Sequence, residues 1–126
     1  MNMICSVCGA ELGRRYGDCV VDGKPYCKAC YKKQFNAKEI YKLIDDKRNT
    51  IKDLFVRGYS ISQICIRLGF YTFTNFECDR CEGRLVQTLR VGRKHVSSYI
   101  LRKILGFKSY DEYLKELRKI RARQKQ

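Results

Sequence analysis

Acidic residues are scarce in this sequence: 13 Asp and Glu stand against 27 Lys and Arg over 126 residues, a net charge of +14. A polyanionic partner is the first explanation for such an excess, and a merely soluble basic protein is the second. Histidine is scarcer still. The one imidazole, His95, supplies no cluster for a hydrolytic metal site. A Gly-rich loop closed by Lys and Ser or Thr is absent, which excludes a P-loop nucleotide site. No apolar run reaches the roughly 18 residues that a membrane span requires. The N-terminal residues, Met-Asn-Met-Ile-Cys-Ser-Val-Cys, lack a charged stretch followed by an apolar one, so no export signal is expected. A chain of this length has room for one compact domain or two very small ones, and not for a large catalytic cleft. These absences predict an intracellular protein of cytoplasm, nucleoid or nucleus, without enzymatic activity, membrane attachment or a small-molecule substrate.

Cysteine, by contrast, is plentiful, with eight residues. In a chain without an export signal, this argues for metal ligation over disulfides. Cys5 and Cys8 form one Cys-x-x-Cys pair, Cys27 and Cys30 a second, and eighteen residues lie between the pairs. Each pair offers two thiolates from one tight loop, and two pairs complete the tetrahedral set that Zn2+ prefers. Gly9 suits the left-handed backbone of such a loop. Between the pairs, residues 15–21 read as a strand, Asp22-Gly23 as a two-residue turn and residues 24–26 as the returning strand. A helix over residues 28–35 follows. Cys19, in mid-strand, reads as a packed thiol before a ligand.

This order of knuckle, hairpin and helix resembles a treble-clef zinc finger, and residues 22–31, Asp-Gly-Lys-Pro-Tyr-Cys-Lys-Ala-Cys-Tyr, resemble the second half of a LIM-type finger. The resemblance covers the first 35 or so residues and implies a closed, structural zinc site that offers a surface to a protein partner. Treble-clef nucleases of the His-Asn-His type need catalytic histidines that this chain does not have.

From Lys38 the pattern becomes helical. Ile40, Leu43, Ile44, Ile51, Leu54 and Phe55 line one face of a helix that ends at Gly58. Ser60 caps a second helix with Ile61, Ile64, Cys65 and Leu68 inward and Gly69 as its stop. The run from Ile51 to Gly69 resembles the first two helices of a helix-turn-helix DNA-binding domain, and residues 61–76 resemble part of an AraC-type activator. That resemblance implies a recognition helix starting near Thr72 or Thr74. A plain helical hairpin is the alternative.

Residues 71–91 carry two readings. One is the recognition helix. The other is a strand over residues 71–78, with Tyr71, Phe73 and Phe76 alternating, opposed by residues 84–91 as in a zinc ribbon. In both, Cys78 and Cys81 are candidate metal ligands, with Cys65 and His95 as their candidate companions at a second site; in the competing account Cys65 faces the core and His95 the solvent. One Zn2+ is therefore expected, and two if the second site forms.

The last third is the electropositive part. Residues 84–126 hold thirteen Lys and Arg against three acids, +10 of the total. Val96 to Leu105 read as a helix ended by Gly106, and Ser109-x-x-Glu112 as a capping box opening a final helix with Tyr110, Tyr113, Leu114, Leu117 and Ile120 inward. Arg84, Arg90, Arg93, Lys94, Arg102, Lys103, Lys108, Arg118, Lys119, Arg121 and Arg123 are the candidate phosphate contacts. Leu68-Gly69-Phe70 returns as Leu105-Gly106-Phe107, either a weak repeat or two ordinary helix ends. The expected fold is thus small α+β: a finger over residues 1–37 and a mainly helical, helix-turn-helix-like nucleic-acid-binding domain over 38–126. DNA is the preferred partner, and RNA or a protein complex such as a polymerase the alternative.

Overall fold

The computed structural model describes residues 3–13, 17–78, 84–91 and 94–124, with the backbone alone for 74–78 and 84–87. After an N-terminal knuckle come strands β1 (Cys19–Val21) and β2 (Lys24–Tyr26) and helices α1 (Lys28–Gln34), α2 (Ala37–Asp46), α3 (Arg48–Val56) and α4 (Ile61–Leu68). Strands β3 (Tyr71–Cys78), β4 (Arg84–Thr88), β5 (Arg90–Val91) and β6 (Lys94–His95) lead to α5 (Val96–Tyr99). This helix runs into a π-helical segment, Ile100–Ile104, and α6 (Tyr110–Gln124) ends the described chain.

The finger hairpin forms as its turn chemistry predicts: Asp22 and Gly23 both take positive φ, 51° and 82°, the conformation a two-residue hairpin favours. β1 does not stop at this pairing. Its other edge takes β3, Cys19 opposite Thr72 and Val20 opposite Tyr71, so the four strands run in the order β2-β1-β3-β4. The sheet therefore crosses the boundary expected at residue 37. So does the core, in which Cys19 and Val21 pack with Ile40, Ile64, Phe70 and Ile100.

Residues 71–78 thus answer the open question of that segment. They form a strand, and the recognition helix expected from Thr72 or Thr74 is not built. The physical reason is the free edge of β1, whose backbone groups need partners, together with the Tyr-Thr-Phe-Thr alternation. The helix expected over residues 38–57 is also broken, at Lys47 (φ −103°, ψ 13°). Residues 45–50, Asp-Asp-Lys-Arg-Asn-Thr, contain no apolar side chain to hold that turn to the core, and Lys47 instead pairs with Asp22 at 3.1 Å.

α4 matches its sequence closely: Ser60 and Gln63 form a reciprocal capping box, and Gly69 ends the helix at φ 83°. Gly106 likewise has a positive φ, 77°. A strand follows the first glycine and a short linker to α6 the second, so the Leu-Gly-Phe repeat amounts to two helix ends.

Candidate metal centre and basic face

The sulfur atoms of Cys5, Cys8, Cys27 and Cys30 all lie within 4.8 Å of one another, and Cys8 Sγ is 3.7 Å from Cys27 Sγ. Zn–S bonds of 2.3 Å in a tetrahedron place sulfurs about 3.8 Å apart, so four thiolates in this arrangement fit one metal ion. Among the described residues this is the one group of its kind.

Local backbone chemistry builds each half. In the knuckle, the Cys5 N–H donates to Ala10 O (2.8 Å), Gly9 N–H to Cys5 O (3.1 Å) and Leu12 N–H to Met3 O (2.9 Å). Gly9 takes φ 77°, as the turn demands. Both the Ser6 N–H and hydroxyl donate to Pro25 O, tying the knuckle to β2. In the second half, Cys27 is the N-cap of α1 and its sulfur accepts from the Cys30 N–H at 3.5 Å. Phe73 of β3 and buried Leu12 pack against the cluster.

Cys5 and Cys30 are shifted in opposite directions. Burial works against ionising Cys5, but the N–H groups of Cys8, Cys27 and Val7 outweigh it and bring the pKa from 9.0 down to about 6. Cys30 is pushed up to about 12, first by its hydrogen bond with the Cys27 side chain and then by burial. A cation bound here would take over the role of the thiol protons. With four protein ligands no coordination position would remain for water.

The other cysteines separate clearly. Cys19 is buried in the core, its pKa pushed to about 12 by burial and then by the Asp18 charge. Cys65 is equally buried, at about 12 through burial alone. Neither belongs to a metal-capable group among the described residues. Of the expected second set, Cys65, Cys78, Cys81 and His95, the Cys78 side chain and all of Cys81 lie outside the described residues. Nor is His95 the solvent-facing residue of the competing account. It is 2% exposed, opposite Arg90 in the β5–β6 pair, and burial followed by the Arg90 charge lowers its pKa to about 4.

The basic residues fall into three groups. Lys94, Arg102, Lys103, Lys108, Arg118, Lys119 and Arg123 are exposed, and among the described residues none is in an ion pair. Lys115, Arg118 and Lys119 share the side of α6 opposite buried Tyr113, Leu117 and Ile120, and Arg123 continues from Lys119 along its flank. Arg121 and Arg90 have structural contacts: Arg121 Nε donates to Gly58 O (3.0 Å) and Nη2 to Gln63 Oε1 (3.3 Å), while Arg90 O accepts from the Tyr31 hydroxyl (2.7 Å). Arg93 and the Arg84 side chain lie outside the described residues.

Sequence reasoning missed Asp18. Buried at 1% exposure, its Oδ1 accepts from the Lys28 N–H (3.2 Å) in the first turn of α1, beside two of the ligands. No sequence signal marks a carboxylate ten residues away as a helix cap.

No helix is long and apolar enough to cross a membrane among the described residues. No family model matches the chain, and neither a curated protein nor a solved structure matches it.

Proposed function

We propose that this is a zinc-stabilised nucleic-acid-binding protein, without enzymatic activity, that holds duplex DNA chiefly by its phosphate backbone and acts as a regulatory or architectural factor. The observation that carries this reading is the outward row Lys115, Arg118, Lys119 and Arg123 on α6, exposed and free of ion pairs among the described residues. Exposed cations on a rigid helix, here outnumbering the acids Asp111, Glu112 and Glu116, attract phosphates without selecting bases. Zinc is the metal proposed because a closed four-thiolate set suits it, with an iron–sulfur assembly as the chemical competitor. The finger reads as a LIM-like treble clef, since knuckle, hairpin and ligand-bearing helix follow in that order. With strand at residues 71–78, base-edge readout by a recognition helix is not part of the proposal.

The test is duplex DNA affinity as salt rises from about 50 to 200 mM, for the wild type and a variant with Gln at Lys115, Arg118, Lys119 and Arg123. Four phosphate contacts predict that wild-type affinity falls by about a hundredfold over that range, and that the variant is weaker with a shallower slope. Salt-independent affinity would defeat the reading. Single-stranded and structured RNA as competitors separate the RNA alternative. A second reading, an adaptor docking a polymerase or other nucleoprotein complex, is favoured by Met3, Ile4 and Val7, exposed on the metal knuckle at 39%, 56% and 53%. Recovery of a stoichiometric protein partner after nuclease treatment would support it.

A further inference from the structure

We infer that the finger carries a second phosphate-contacting surface, at the junction of α1 and α2, formed by Lys32, Lys33, Lys38 and Lys42. This rests on the nucleic-acid reading above and extends it to residues that the charge count of the first third conceals. Residues 28–42 contain five lysines and one acid, Glu39. All four proposed contacts are exposed, and among the described residues none is in an ion pair. Only two residues, Phe35 and Asn36, separate the helices, so the lysines of one lie close along the chain to those of the other. On α2, Lys38 and Lys42 are one turn apart on the side opposite buried Ile40 and Ile44.

Helix electrostatics does not account for this surface. Cations in the last turn of a helix interact well with its dipole, which covers Lys32 and Lys33. Lys38 is in the first turn of α2, where a cation is unfavourable, while Asp45 and Asp46 occupy the last turn, where acids are unfavourable. Glu39, also in the first turn, is the one acid of α2 placed favourably for the dipole. At the α1 end Lys32, Lys33, Lys38 and Lys42 outnumber the single acid Glu39, whereas Asp45 lies at the far end in contact with Arg48 (3.8 Å) and the Tyr99 hydroxyl (2.6 Å). The net excess of three positive charges among these five residues creates a local attractor for anions.

The surface is held rigidly. α1 has no fully buried residue, but its N-cap and first turn carry Cys27 and Cys30, its Lys28 N–H is bound by Asp18, and its Tyr31 reaches Arg90 O. α2 is fixed by Tyr41, which stacks on Tyr99 with ring centres 4.3 Å apart. Tyr99 lies three and four residues before Arg102 and Lys103, so the stack puts α2 beside the helix bearing those exposed cations. A phosphate backbone crossing the α1–α2 junction is the polyanion this layout fits. The metal cluster then orients a binding helix as well as closing the fold.

The experiment compares wild type, Lys32→Gln/Lys33→Gln/Lys38→Gln/Lys42→Gln, the smaller Lys33→Gln/Lys38→Gln pair, and Lys52→Glu, which alters an exposed lysine on α3. Each is titrated with the same DNA duplex over a salt series, with circular dichroism and bound metal as checks of folding. At about 0.9 in log–log slope per phosphate contact, the fourfold variant should lose about 2 to 4 from its salt slope and at least tenfold in affinity near 0.1 M salt. The pair should lose about half that slope, and Lys52→Glu should bind within about twofold of wild type. Should the fourfold variant misfold, the pair decides. Wild-type slope in a folded finger variant would overturn the inference while leaving the α6 reading intact. A wild type that ignores DNA at low salt would overturn both.

Discussion

At the scale of single residues, the chain shows how environment divides identical side chains among roles. Four of the described cysteines converge on one point, while Cys19 and Cys65 are drawn into the core, where burial keeps them protonated. The same physics acts on His95. Its folded-state pKa of about 4 lies below the ordinary 6.5, so in acid the unfolded chain takes up the proton first. Stability contributed by the neutral imidazole is therefore full above pH 6.5 and lost as pH falls from there toward 4. The loss amounts to no more than about 3 kcal/mol. Urea unfolding of wild type and His95→Gln between those pH values checks it: the difference in unfolding free energy should shrink by that order on acidification. A constant difference would show that His95 titrates normally.

At the scale of elements, the contact between two glycine turns organises the fold. The Gly23 N–H of the β1–β2 turn donates to Gly69 O at the end of α4 (3.1 Å), and Lys47 at the α2–α3 break pairs with Asp22 of the same turn. A Cβ on Gly69 would lie 2.4 Å from Gly23 N, against backbone that cannot swing aside. The residue also needs φ 83°, which alone costs an L-amino acid about 1–2 kcal/mol. Gly69→Ala should therefore destabilise the protein by more than about 2 kcal/mol. Gly106→Ala, with open space around its Cβ, should cost only the conformational part. Chemical denaturation of the two variants measures the gap, and equal losses would mean that the turn contact is slack. α6 is fastened in a related way, since Arg121 and Gln124 donate to the Gly58 and Arg57 carbonyls at the exposed end of α3.

At the scale of the whole molecule, the four-cysteine cluster has a small apolar core of its own, Cys5, Leu12 and Cys27 with Phe73, and one sheet joins it to the core of the helices. Removing the metal would release Cys27 and Cys30, and with them α1, whose seven residues are too few to persist alone. Because β1 also pairs with β3, the disturbance should reach the helical part. Metal-loaded protein should unfold in one cooperative transition, the same by far-ultraviolet dichroism and by tyrosine fluorescence, and chelation should lower its midpoint. A separate early transition confined to the finger would show that the sheet does not couple the two parts.

Nearest-neighbour chemistry was enough to read several features from the amino-acid order. The paired Cys-x-x-Cys motifs, the Asp22-Gly23 turn, the Ser60 cap, the glycine stops and the inward stripe of α6 each depend on residues a few positions apart, whose geometry the backbone dictates. Tertiary structure decided what lay beyond that range. Residues 71–78 became a strand because β1 offered them an unpaired edge some fifty residues earlier in the chain. Lys47 broke a helix because Asp22 was within reach and no apolar side chain opposed the turn. His95 went inside, and Arg121 took up carbonyls, because distant elements closed over them. Periodicity along a chain records which side of an element is apolar, whereas the partner of that side, and the free hydrogen-bonding edge it meets, exist only once the chain has folded back on itself.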